Sequence, residues 1–214
     1  MSELTAIDVL IEPDETMLAR AERENARMLG SIPSPSGFAL DVHHRPHITT
    51  LQRYVRTADM DAVFAAIQEV RAGLDLTSLT FIAEAIRHMD VQPGVGIAAV
   101  VVKPGKQVLD FQAKLIDALA PYVESGGTAD AYVRTEAEPD INDATIEYIE
   151  VYVPQHSGEN YVAHVTVGIA KLDDLAVIEA EPFESLTFAA SAVSVYQLGN
   201  NGTAAKHLQS FAVS

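Results

Sequence analysis

A histidine followed two residues later by a threonine occurs in two extended runs, and having to place both copies constrains this chain more than any other feature. The first lies in Arg45-Pro46-His47-Ile48-Thr49-Thr50-Leu51-Gln52-Arg53-Tyr54-Val55 and the second in Tyr161-Val162-Ala163-His164-Val165-Thr166-Val167-Gly168. Residues i and i+2 of a β-strand share a face, so each run presents an imidazole and a hydroxyl together. The histidines stand 117 positions apart. A chain that lays these strands side by side gives one groove an imidazole and a hydroxyl from each.

With 214 residues and 48% hydrophobic content, the chain can bury either one large core or a core shared by two small lobes. Acid stands near the start of the chain, at Glu3 and Asp8, and no apolar run approaches the eighteen or so residues of a membrane span. The expectation is a cytoplasmic protein with no membrane partner. Cysteine is absent, which removes disulfides, thiolate zinc sites and cysteine nucleophiles. Thirty acidic against 14 basic side chains give a formal charge of −16. Such a field repels polyanions and disfavours long RNA or DNA, whereas a few local donors still hold one small anionic phosphodiester.

Taken in order, 5–12 reads as a half-buried strand in which Ile7, Val9 and Ile11 alternate with Asp8, Leu10 and Glu12. Asp14 then caps a helix carrying Met17, Leu18, Ala21, Met28 and Leu29, which stops at Gly30. Residues 31–37 form a proline-rich loop and 38–42 a short strand before the first motif. Thr57 or Asp59 caps a second helix with the stripe Met60, Val63, Phe64, Ile67 and Val70. Residues 74–89 read as extended, Gly94 and Gly96 mark a turn, and 97–102 reads as a strand buried on both faces. A helix follows with Val108, Leu109, Phe111, Gln112, Leu115, Ile116 and Leu119 on its stripe. The acidic stretch 125–160, with local order only at 146–153, reads as an insertion or lid. After the second motif come a short helix over 173–181 and two strands, 183–198 and 204–213, joined by a turn at 198–202. Residues 1–93 and 94–214 thus look like two versions of one unit, and the predicted fold is α+β, a single domain of two pseudo-symmetric sheet-and-helix lobes around a central groove.

Two histidines across a groove divide acid and base work at neutral pH. One neutral imidazole takes a proton from attacking water, and the other, as imidazolium, gives one to the departing oxygen. Thr49 and Thr166 then donate to the non-bridging phosphoryl oxygens, where charge accumulates. This chemistry needs no metal.

His47-Ile48-Thr49-Thr50 and His164-Val165-Thr166-Val167 resemble the paired His-x-Thr/Ser motifs of the two-histidine (2H) phosphoesterase superfamily. That group includes bacterial 2′-5′ RNA ligase-like proteins and cyclic nucleotide phosphodiesterases. The resemblance implies the bilobal fold and the hydrolysis or formation of a phosphodiester without a cofactor, typically opening a 2′,3′-cyclic phosphate to a 2′-phosphate. Thr50 departs from the aliphatic residue usual there. The acidic composition favours a nucleotide or another small phosphodiester over 2′-5′ RNA ligation, and a non-catalytic module that binds a phosphorylated nucleotide-like ligand is the alternative from a different class.

Arg53 falls at i+4 from Thr49, hence on its strand face, and with Arg45 and Lys103 is a candidate to offset the acidic field. Tyr54, Tyr152 and Tyr161 are candidates to stack on a base, or else to pack. His43, His44 and His47 form a local cluster that reads as a candidate metal site, but Pro46 interrupts regular pairing and no fitting carboxylate or thiolate lies nearby. His88, His156 and His207 have no partner motif. Nothing in the sequence specifies an oligomeric state.

Overall fold

The computed structural model describes residues 2–32 and 37–212. Residues 33–36 of the expected loop and Val213 of the expected last strand lie outside them. The fold is α+β, with seven strands and five α-helices among the described residues. Strands β1 (Leu4–Pro13), β2 (Ile48–Arg56), β3 (Thr80–Gln92), β4 (Val95–Lys103), β5 (His164–Lys171) and β6 (Leu186–Leu198) run in the order β2-β1-β6-β3-β4-β5, and β7 (Ala204–Ala212) pairs with β6. All of the pairings are antiparallel. Exchanging β1 with β4, β2 with β5 and β3 with β6 returns the same order read backwards. The repeat expected from sequence is therefore built into the sheet.

The sheet does not, however, divide at residue 93. β3 and β4 form a hairpin across that point, turning at Gly94, whose φ of 79° suits glycine. Strand β6 starts against β3 through Leu186–Ala189 and then runs against β1 from Ala190 to Gln197. Each half of the sequence thus contributes its third strand to the other half's sheet.

Helix α1 (Glu15–Met28) starts where Asp14 accepts from the amides of Thr16 and Met17, while its second oxygen accepts from Ala189 of β6 at 2.8 Å. Met17, Ala21 and Met28 face the core, and Asn25 is buried among them. Helix α3 (Lys106–Leu119) buries Val108, Phe111, Leu115 and Leu119, with Gln112 on the same stripe. Helices α2 (Met60–Ala72) and α5 (Leu172–Ala180) occupy matching places after the two motif strands. Strand β1 is buried on both faces, Asp8 included, because it is paired on both edges and covered on both sides; the half-buried reading of 5–12 is corrected accordingly. Conversely, β4 alternates, burying Ala98, Val100 and Val102 while its other face is only half covered. Residues 38–42 are irregular, with bends at 40–42, rather than a strand.

The 125–160 stretch is more ordered than its composition suggested. It contains helix α4 (Asp143–His156), capped by Asn142, and buries Tyr132, Ile141, Ile149 and Tyr152. Tyr54 belongs to this packing. Its hydroxyl lies 2.5 Å from that of Tyr132 and donates to the Ile146 carbonyl at 3.1 Å, so the ring is not available to stack on a base. Tyr54→Phe is expected to destabilise the fold by about 1 kcal/mol, read as a lower urea midpoint at unchanged slope. Among the described residues no helix is long and apolar enough to cross a membrane.

Candidate active site

Strands β2 and β5 lie at opposite ends of the sheet order yet approach one another, so the sheet closes partway around the space between them. They are not hydrogen-bonded neighbours, as side-by-side strands would be. Tyr161, just ahead of β5, is buried and donates its hydroxyl to the Thr49 carbonyl at 2.7 Å, which fastens one motif to the other. That contact corrects its expected role in base stacking. His47 and Thr166 line one small cavity together with Phe38, His44, Arg45 and the 201–204 segment.

Both motif strands bulge at the same place. In β2, Thr49 stands opposite Leu10 and Leu51 opposite Val9, leaving Thr50 as the extra residue. In β5, Thr166 stands opposite Ala99 and Gly168 opposite Ala98, leaving Val167 extra. A bulge re-aims the side chains that follow it. Arg53 consequently pairs with Ile7, a core residue, and points away from Thr49. Gln52 takes that face instead, donating its amide to Asp8 Oδ2 at 3.0 Å beside the Thr49 hydroxyl, which donates to the same oxygen at 2.7 Å.

The two imidazoles are anchored alike. Nδ1 of His47 lies 2.6 Å from the Arg45 carbonyl and Nδ1 of His164 lies 2.8 Å from the Val162 carbonyl. A carbonyl only accepts, so both Nδ1 atoms carry hydrogen and Nε2 is left for chemistry. Nε2 of His47 stands 3.4 Å from Asp8 Oδ2, whereas that of His164 has no hydrogen-bond partner among the described residues. The surroundings then separate the pair. Burial disfavours the charged form of His47, but Asp8, the Arg45 carbonyl and the charge of Glu12 together outweigh it and raise the pKa. For His164, burial prevails over the bond to Val162, the charge of His47 adds to it, and the pKa falls. Asp8 belongs to no motif in the sequence, where its one visible sign is an acid within the run Ala6-Ile7-Asp8-Val9-Leu10-Ile11.

The remaining candidates divide. Thr166 makes no side-chain hydrogen bond among the described residues and faces the cavity, while the proton of Thr49 is committed to Asp8. Thr50 is buried and donates to the Val9 carbonyl at 2.5 Å. Arg45 lies at the cavity with Glu12 3.8 Å away, and Lys103 is exposed at the end of β4. His43 contacts the Ala205 carbonyl, and His44 sits between Asp41 and Glu138 at 2.9 and 3.1 Å, so the three neighbouring histidines turn to separate partners. Among the described residues, no group of three or more metal-type side chains converges. From α4, Tyr148 and His156 stack with ring centroids 4.4 Å apart, and burial with the charge of Asp8 pushes the Tyr148 phenol up to about 12. Tyr152 beside them is buried. His88 and His207 pair elsewhere, with Glu179 and Ser210.

No protein-family profile and no curated protein matches this sequence. Solved structures that align with it include E. coli LigT complexed with phosphate, at 12% identity and a TM-score of 0.48, covering 100% of this chain and 99% of LigT. LigT complexed with 3′-AMP gives the same identity and score over 99% of each chain. Kluyveromyces marxianus Usb1 aligns at 7% identity and a TM-score of 0.44, again over 99% of each chain.

Proposed function

We propose that this chain is a metal-independent phosphodiesterase that opens a small cyclic phosphodiester of the 2′,3′-cyclic nucleotide type to a 2′-phosphate. The observation that carries the reading is the pair of matched Nδ1 anchors set in opposed electrostatic surroundings, which supports His47 as the acid and His164 as the base. Neutral His164 takes a proton at Nε2 from water as the water oxygen bonds to phosphorus. The bond from phosphorus to the 3′ oxygen breaks, and His47 Nε2 delivers its proton to that oxygen. Thr166 donates to a non-bridging oxygen; Thr49 can do so only by turning from Asp8, and in the resting site it holds that carboxylate against His47. Asp8 and Glu12 place part of the chain's −16 charge near the site, which supports a small monoanionic diester over a long polyanion.

The test is hydrolysis of 2′,3′-cyclic nucleotides in EDTA, with the product identified as the 2′-phosphate. The expected kcat/KM profile is bell-shaped, with an acidic limb below the ordinary histidine value of about 6.5, where His164 loses its proton, and a basic limb above it, where His47 does. Activity abolished by EDTA and restored by a divalent cation would sink the scheme. Tight nucleotide binding without turnover would move the reading to a non-catalytic module.

A further inference from the structure

Asn25 of α1 and Gln112 of α3 occupy corresponding helices of the two halves, and each is a primary amide buried in an otherwise apolar stripe, 4% and 1% exposed. Asn25 Nδ2 donates to the carbonyl of Val167, the bulged residue after Thr166, and to that of Phe38, both at 2.9 Å. Its Oδ1 accepts from the Leu40 amide at 3.2 Å. Gln112 Nε2 donates at 2.9 Å to the carbonyl of Thr50, the bulged residue after Thr49, and its Oε1 accepts from the Gly158 amide at 2.9 Å. Phe38 and Leu40 lie on the approach to His47, and Gly158 lies on the approach to His164. Each amide therefore ties the bulge of one motif to the segment that leads into the other.

We propose that Asn25 and Gln112 are paired positioning residues that hold the two histidine motifs in register with each other, so that neither imidazole is placed by its own half alone. The effect on turnover rests on the acid–base reading above; the effect on the imidazoles does not. A bulge leaves its extra residue outside the ladder, and a carbonyl released there re-aims the adjoining threonine and histidine. Displacements on the order of 1 Å at a reacting group cost about 10²-fold in rate.

The experiment compares Asn25→Leu and Gln112→Met, which keep volume and remove the polar atoms, with Asn25→Asp and Gln112→Glu, all in the full chain and checked for folding by near-UV circular dichroism. On a 2′,3′-cyclic nucleotide, kcat should fall by about 10–100-fold with KM little changed. In ligand-free protein, the imidazole NMR titrations of both His47 and His164 should move in each variant. Gln112→Glu adds a readout that packing alone would not give. Its ionised carboxylate keeps the Gly158 bond but cannot donate to Thr50, and its protonated form can. Tyr152, an ionisable neighbour of Gln112, and Tyr161 next to it are kept neutral because burial holds both phenol pKa values well above the ordinary value. The activity of this variant relative to wild type should therefore recover as pH falls. Folded variants with wild-type kcat and unmoved titrations would overturn the proposal, as would a variant that moves only the histidine beside its own bulge. If the wild type does not turn the nucleotide over, the titrations alone decide: movement of both imidazoles supports the coupling and movement of neither refutes it. Should the apolar variants not fold, the same criteria apply to the Asp and Glu variants.

Discussion

Replacing His47 or His164 by alanine is expected to lower kcat/KM on a cyclic phosphodiester by about 10²–10⁴-fold, the range supplied by a placed acid or base. The two losses should differ in kind. His47→Ala removes the basic limb of the pH profile and His164→Ala the acidic one, and the double variant should be little worse than either, since the groups act as a unit. Stability separates them as well. His47 faces the buried Asp8 carboxylate at 3.4 Å, whereas His164 Nε2 faces no partner among the described residues. Losing His47 leaves a buried charge without its counterpart, so that variant should melt at the lower temperature. Rates within threefold of wild type in both folded variants would contradict this assignment.

Asp8→Asn should give the second-largest effect. Asp8 is fully buried, and one of its oxygens receives Thr49 and Gln52 while facing His47. Removing the charge removes the largest influence that holds the His47 pKa up, so the basic limb of the profile should move to lower pH and activity near pH 8 should fall while the acidic limb changes less. The stability difference should follow the same proton. A raised folded-state pKa contributes stability that is fully present below the unfolded value of about 6.5 and is lost as pH rises through the folded value. The advantage of wild type over Asp8→Asn should thus be larger at about pH 6 than at about pH 8.5. Asp8→Ala, which also leaves the Thr49 and Gln52 donors without their acceptor, should cost a further 1–3 kcal/mol or so. A basic limb unmoved in Asp8→Asn would show that the carboxylate does not act on His47.

The alternation of Ile7, Val9 and Ile11, the stripes of α1 and α3, and the two His-x-Thr pairs were all legible because period-2 and period-3.6 patterns are local. What escaped depended on pairing between distant segments. Asp8 alternates with apolar residues like any solvent-facing acid, and only the pairing of β1 with both β2 and β6 puts it inside. Arg53 was assigned to the face of Thr49 by counting, and the bulge at Thr50, which no glycine or proline announces, reverses the count. For Tyr54 and Tyr161 the sequence leaves base stacking and packing open until Tyr132, Ile146 and the Thr49 carbonyl are placed beside their hydroxyls. The division at 93 followed the repeat in the sequence and could not show that β3 and β6 cross between the halves. Asn25 and Gln112 did leave a sign. Each is a polar residue at a stripe position, and a buried amide needs partners that a helix cannot itself supply.

The measurement that bears most directly on the division of labour is the imidazole NMR titration of His47 and His164 in the ligand-free wild-type protein, with each resonance assigned from its alanine variant. The expected result is two separate midpoints, His47 above the ordinary value of about 6.5 and His164 below it, so that between them one imidazole is charged and the other neutral. Coincident midpoints, or His164 titrating above His47, would contradict the assignment of acid and base on which the proposed reaction is built.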